Sequence, residues 1–370
     1  MKFAIITHVE HKKHSNKWFC YEPYVREMNL WNKYASEVKI VAPISIKSPI
    51  KIDSFYNKEN IEVIKIPKVN LLTVFNLFIA LINAPIICYR IIKVFMWADH
   101  IHLRCPGNVG LLGAILQVFF PSKNKTAKYA GNWDPTSKQP RSYRFQKWIL
   151  SNTLLSKNMK VLVYGKWKNQ SSNIIPFFTA SYSEKEIIEL KQKVTFDKIN
   201  FIYVGAFTKG KQPLLSVKII ASLFKKGYNV HLNMFGDGEE YSIVEEYINK
   251  NKLKSIITLH GNVDKEKIKQ SFQNSHFLLF ISKSEGWPKV VAESMFWSCL
   301  PISSEVSCVP YMLGNGLRGG LINKENEIIP LVESYINDKI KYKNHVKNAC
   351  TWSQKLTLEK FELELKSIIN

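Results

Sequence analysis

The segment Ser282-Lys-Ser-Glu-Gly-Trp-Pro-Lys-Val-Val-Ala-Glu-Ser-Met-Phe carries two carboxylates eight residues apart, Glu285 and Glu293. A strand pattern at 277–281 runs into a polar loop with Gly286. Pro288 then fits the first turn of a helix over 288–297. That helix is apolar on most sides, as a buried helix is, and Glu293 sits in its middle. A carboxylate there costs several kcal/mol unless something pairs with it. Either a neighbouring backbone group or lysine satisfies Glu293, or it waits for ligand hydroxyls. The amides at the helix start form an anion site suited to a nucleotide diphosphate. Spacing alone says little, because Glu325 and Glu333 repeat it in a solvated helical stretch. Context singles out the first pair: strand end, glycine, proline-started helix, buried second carboxylate. No nucleophilic triad or acid–base pair stands out elsewhere. An Asp-x-Asp motif is absent, so the sequence requires no divalent metal and no cofactor.

These residues need a scaffold, and the chain alternates strand and helix patterns throughout. Strand patterns fall at 3–7, 38–42, 61–66, 100–103, 126–130 and 160–164. A second series falls at 201–204, 230–234, 256–259, 277–281 and 300–303. Helical patterns fill the gaps, among them 24–35, 214–225 and 239–249, and three more close the chain, the last over 353–369. This predicts an α/β fold of two doubly wound, Rossmann-like domains, 1–175 and 184–350, joined near 169–183. Ligands of such sheets bind beyond the carboxyl ends of the strands. Two such domains would place a ligand in the cleft between them. His102 and Arg104 close the strand at 100–103, and Asp134 follows the strand at 126–130.

The chain has 370 residues and a net charge of +22. Residues 1–180 hold 26 basic and 9 acidic side chains, and 121–168 hold eleven bases against one acid, Asp134. Such asymmetry implies a solvated basic surface or an anionic partner. A nucleic-acid-binding protein rests on charge alone, without a recognition motif to support it. No G-x-G-x-x-G follows the first strand, which disfavours a Rossmann oxidoreductase. Six cysteines show no CxxC pair, and the first residues read as a strand rather than a secretory signal, so a cytoplasmic protein is expected. The stretch 71–88 is apolar enough to suggest a membrane span. Asn76, Asn83 and Pro85 interrupt it, which favours a buried or interfacial helix pair. Aromatic and basic residues interleave over 143–148, as in an interfacial helix or a core helix with a solvated side.

The segment 282–296 resembles the Glu-x7-Glu motif of retaining GT-B glycosyltransferases, family 4 (glycosyl transferases group 1). Three segments match in order: Val204-Gly-Ala-Phe-Thr-Lys-Gly-Lys, Met234-Phe-Gly-Asp-Gly-Glu and Leu259-His-Gly-Asn-Val. The first half resembles the family's acceptor domain through Tyr21-Glu-Pro-Tyr-Val-Arg-Glu-Met and Asp99-His-Ile-His-Leu-Arg. The resemblance implies a final helix, 352–370, crossing back to the first domain. It implies that Glu285 bonds donor-sugar hydroxyls and Glu293 the ribose, while the amides around Gly286, Trp287, Pro288 and Lys289 face sugar and phosphate. Gly205, Lys209, Lys211 and Asn262 complete the donor site. Ala206 stands where the family usually has arginine, so Lys211 carries more of the diphosphate, with Lys209 in reserve. Asp237 reads as a turn residue. His102 is a candidate catalytic residue, or a satisfied core histidine. Arg104 and Asp134 are candidates on the acceptor side. The implied function is transfer from a UDP- or GDP-sugar, with retention, to a glycan, lipid-linked, in capsule, O-antigen or exopolysaccharide synthesis. The enzyme would sit peripherally on the anionic inner face of the cytoplasmic membrane and bind no nucleic acid. A nucleotide-sugar epimerase of the same fold is the alternative.

Overall fold

The computed structural model describes residues 1–50, 52–69, 73–189 and 195–369. They form two compact units: Met1–Phe177 with Glu362–Asn370, and Phe178–Phe361.

The first unit runs β1 (Lys2–Ile6), β2 (His11–His14), β3 (Lys17–Tyr21), α1 (Glu22–Asn32), β4 (Glu37–Ser45), β5 (Asp53–Phe55), β6 (Ile61–Ile66) and α2 (Val74–Trp97). It continues β7 (His100–Cys105), α3 (Asn108–Leu116), β8 (Asn124–Tyr129), α4 (Arg141–Ser151), β9 (Met159–Tyr164) and β10 (Ile174–Phe177). Seven strands pair in parallel in the order β6-β4-β1-β7-β8-β9-β10. The order reverses at β1, so β1 and β7 frame the switch point where doubly wound sheets bind ligands. A small antiparallel extension, β2-β3-β5, continues from β4. On one face, Ile87, Ile91, Val94 and Phe95 of α2 share a core with Leu103, Val109, Ile149 and Val161. On the other, Trp31 of α1 packs on Phe3 and His102.

The helix pair expected over 71–88 is instead part of one helix, α2, with Pro85 inside it. Leu71 and Leu72 lie outside the described residues. Proline removes a single rung, the N–H that would reach the carbonyl of Leu81. Leu81 is exposed, so water can serve that carbonyl, and the helix continues.

Buried histidines make this unit acid-sensitive. His11 bonds the Tyr56 hydroxyl through Nε2 (2.8 Å), and burial lowers its pKa to about 4; burial lowers that of His100 to about 4 as well. Folded, both stay neutral down to that pH, whereas an unfolded chain takes up protons from about pH 6.5. Between those values the unfolded state binds more protons, so stability falls as pH drops. Melting temperature is expected to decline by several degrees from pH 7 to pH 5 and to level off near pH 4. A melting temperature constant across that window would contradict this reading.

The second unit runs β11 (Ile199–Val204), α5 (Pro213–Lys225), β12 (Val230–Phe235), α6 (Tyr241–Lys250), β13 (Ile257–Gly261), α7 (Lys265–Asn274), β14 (Phe277–Phe280) and α8 (Lys289–Phe296). It continues β15 (Leu300–Ser304), α9 (Val309–Met312), β16 (Gly320–Ile322), α10 (Ile328–Asn337) and α11 (Lys339–Ser353). Its six strands are parallel in the order β13-β12-β11-β14-β15-β16, with the switch point at β11 and β14. The last helix, α12 (Leu358–Ile369), starts later than the 352–370 expected. The Thr357 hydroxyl accepts from Lys360 N (3.1 Å) at its start, and only 362–370 group with the first unit.

Candidate active site

Parallel strands β11 and β14 end side by side, and their exit loops carry the chemistry. Beyond β14, Ser282 and Glu285 fold back on each other, and the Ser282 hydroxyl donates to Glu285 Oε1. Lys211, on the loop after β11, donates to the same oxygen. The two loops are tied by Lys283 N to Gly210 O (2.9 Å). The Lys211 ammonium lies 4.9 Å from the centre of the Phe280 ring. Glu285 has 9% of its side chain exposed and Lys211 has 29%, so the pair lies at the surface end of the loops rather than in the core. Oε2 of Glu285 has no protein partner among the described residues. A cation and a spare carboxylate oxygen therefore face the place where such sheets take a ligand.

The loop's walls are buried. Trp287 and Pro288 are buried, while Gly286 and Lys289 are half-buried. Pro288 has extended backbone just before α8 rather than in its first turn. The Gly286 carbonyl accepts from the Cys308 thiol (3.0 Å). Burial, helped by Glu285, pushes that thiol up to about 12, so it stays a neutral donor at physiological pH. Glu293 is half-buried on α8, and its Oε1 accepts from the Ser181 hydroxyl. Its Oε2 has no protein partner among the described residues.

Glycines set the close approach of neighbouring exits. Gly236 has φ +126°, and a Cβ there would stand 2.0 Å from the Gly205 carbonyl oxygen. A Cβ on Gly238 would stand 2.6 Å from the Phe207 carbonyl. Asp237 serves the turn: its carboxylate accepts from Gly238 N (2.7 Å). Gly236→Ala is therefore expected to lower stability by at least about 2–3 kcal/mol, through backbone strain and displacement of the Gly205 turn. Denaturant unfolding measures this; a midpoint like that of the wild type would contradict it. Lys209 is exposed, and Asn262 is exposed beyond β13, two strands away from the Lys211–Glu285 pair.

In the first unit the structure separates the three candidates. His102 is fully buried in β7, with Nδ1 bonded to Thr126 Oγ1 (2.9 Å) and its ring against Trp31. Burial first, then Arg104, holds its pKa well below the usual histidine value. It is a core residue that cannot touch substrate, and its catalytic candidacy is withdrawn on that ground. Asp134 accepts from Thr136 N (2.8 Å) and Oγ1 (2.7 Å), as a turn carboxylate does. Arg104 reaches the end of β7, where Nη1 donates to Glu27 Oε1 (2.8 Å). Lys128 stands 3.7 Å from that same oxygen. This cationic cluster sits at the switch point of the first sheet, near the loop where His8 and Gly107 touch.

Residues 185–352 match the family described as glycosyl transferases group 1. Over those residues the chain is similar to that family. The match contains the whole Lys211–Glu285–Glu293 constellation. A protein from the cps region of Klebsiella pneumoniae, of 41.2 kDa and uncharacterized, is 28% identical over 164 residues, 43% of this chain and 42% of that one. The chain spans less than half the length of the curated relatives it matches. Among solved structures, sucrose-phosphate synthase from Thermosynechococcus elongatus has a TM-score of 0.69 at 15% identity, covering 100% of this chain and 98% of that one. Anabaena Alr3699/HepE, solved in complex with UDP-glucose, has a TM-score of 0.69 at 11% identity, covering 100% and 99%. At such identities the likeness shows the fold, GT-B with its two Rossmann-like domains. The residues that match the family fall within the second unit, and the first unit carries the fold's other sheet.

Two contributors to this site left no signal in the sequence. Ser181 lies 112 residues before Glu293, in a segment read only as a linker. Cys308 lies beyond β15, where no spacing rule connects it to Gly286.

Proposed function

We propose that the protein is a glycosyltransferase that moves a sugar, with retention, from a UDP- or GDP-sugar to a lipid-linked glycan. The observation that carries this reading is the Lys211–Glu285 pair at the switch point of the second unit, within the residues that match the family. In the reaction the bond from sugar C1 to the diphosphate oxygen breaks and C1 bonds to the acceptor oxygen. The acceptor proton ends on the departing diphosphate. Lys211 neutralises charge that grows on that diphosphate, the kind of electrostatic help that accelerates leaving-group departure. The spare oxygen of Glu285 accepts from sugar hydroxyls, and that of Glu293 from the ribose. The amides that open α8 face the phosphates. Lys211 serves here in place of a resident metal.

Two likenesses support the finer points. HepE was solved with UDP-glucose, and the Klebsiella relative is encoded in a cps region. They favour a nucleotide-sugar donor and a role in surface polysaccharide synthesis; the net charge of +22 favours a place on the anionic inner face of the cytoplasmic membrane. A thermal-shift screen over UDP- and GDP-sugars tests the donor. Ligand at 100 times its dissociation constant stabilises by about 2.7 kcal/mol. One nucleotide series is expected to raise the melting temperature by several degrees. A flat response to every nucleotide sugar would overturn the reading.

A further inference from the structure

We infer that the face of the first unit formed by α2, α3 and α4 docks on an anionic lipid bilayer, with α2 lying in the plane of the interface. The inference rests on the lipid-borne acceptor proposed above and names the surface that reaches it.

The face is apolar where a soluble surface is not. Along α2, Phe75, Phe78, Ile82, Ile86, Tyr89, Lys93 and Met96 recur at spacings of three and four, so they line one side of the helix. All seven are exposed, and Ile79 and Leu81 widen the strip. Phe78, Leu81 and Ile82 are each more than 60% exposed. On α4, Arg141, Arg144, Phe145 and Trp148 share one side in the same way, all exposed, with Phe145 and Trp148 stacked at 5.8 Å. Between these helices lies α3, packed against both. Phe119, just beyond it, is 74% exposed. Exposed apolar strips of this kind on neighbouring helices mark an interaction site.

Charge selects the occupant. Helices α2, α3 and α4 contain five basic residues and no acidic one. Lys93, Arg141 and Arg144 are exposed among the aromatic rings. A second copy of the chain would set these cations against their like. An anionic leaflet answers the cations and the apolar strip together.

The packing decides how α2 sits. Residues Phe78–Trp97 are long and apolar enough to cross a membrane, yet Ile87, Ile91, Val94 and Phe95 of the same helix are built into the core beneath the sheet. Crossing would strip them from it. The outward strip from Phe75 to Met96 rises about 31 Å along the helix axis. It can lie flat with its outer side in the headgroup–acyl boundary while the inner side stays packed.

Flotation of the whole protein with vesicles of phosphatidylcholine, with and without about 30 mol % phosphatidylglycerol, tests this. Flotation is expected to be strong with the anionic vesicles and several-fold weaker with the neutral ones, where the apolar strip acts alone. The variant Phe78→Ser, Leu81→Ser, Ile82→Ser is expected to reduce partition by about tenfold or more. Arg141→Gln and Arg144→Gln are each expected to reduce it by about fivefold at low salt. In 1 M salt, where the Debye length is about 3 Å, a fraction of the wild type is expected to stay bound through the apolar strip. The replaced side chains are exposed, so an unchanged melting temperature certifies the fold of each variant. Wild type that ignores both kinds of vesicle, or a folded serine variant that floats like wild type, would overturn the inference. The two readings separate cleanly. Protein that floats but neither binds nor turns over any nucleotide sugar keeps the docking face and loses the glycosyltransferase. Protein that transfers sugar to a soluble acceptor and never floats does the reverse.

Discussion

Lys211→Ala is expected to lower kcat by about 10²- to 10³-fold while the protein stays folded, as loss of one well-placed electrostatic donor does. Lys211 lies on an exit loop, partly exposed, and contributes no core packing. Its ammonium is held by Glu285 over the Phe280 ring, where a departing diphosphate would collect charge. Ala206, next to Gly205 on the same turn, carries no charge. Lys209 is exposed and has no such tether; Lys209→Ala is expected to stay within about threefold of wild type. Steady-state turnover of both variants, with melting temperatures as a fold control, decides the matter. If Lys209→Ala is the more damaging, the diphosphate lies on the other side of the turn.

Glu293→Gln is expected to weaken nucleoside diphosphate binding by about 5- to 150-fold, the cost of about 1–3 kcal/mol for a lost or unpaired hydrogen-bond partner. The substitution keeps shape and leaves an amide oxygen for Ser181, so melting temperature is expected to stay near that of wild type. What it removes is charge and acceptor strength at the oxygen that no protein group takes. Isothermal titration with UDP and GDP measures the change. Affinity equal to wild type would assign Glu293 to holding Ser181 and nothing more.

Most of the parallel strands were legible as short, largely apolar runs set between helices of amphipathic period, whereas the short edge strands β10 and β16 were not. Nor were short pairings without that signature. β2 reads His-Lys-Lys-His, with one buried residue of four, and owes its existence to its neighbours β3 and β4. The course of α2 was misread because Pro85 and two asparagines resemble an interruption, whereas an exposed helix tolerates one missing rung. In the site, Glu285 and Glu293 were visible through their strand–loop–helix setting. Their partners were divided. Lys211 was within reach through a matching segment, but Ser181 and Cys308 come from distant parts of the chain, and only the fold brings them in. His102 shows the opposite failure. A histidine near a strand end resembles a catalytic group in sequence, and only its burial against Trp31 and Thr126 shows that it cannot meet a substrate.

A crystal structure of the protein grown with UDP decides where the nucleotide sits. A diphosphate is expected at the carboxyl ends of β11 and β14, within hydrogen-bonding distance of Lys211 Nζ and the amides that open α8, with ribose hydroxyls on Glu293. UDP bound instead at the β1–β7 switch point of the first unit, or occupying the second unit without touching Lys211 or Glu293, would contradict that placement.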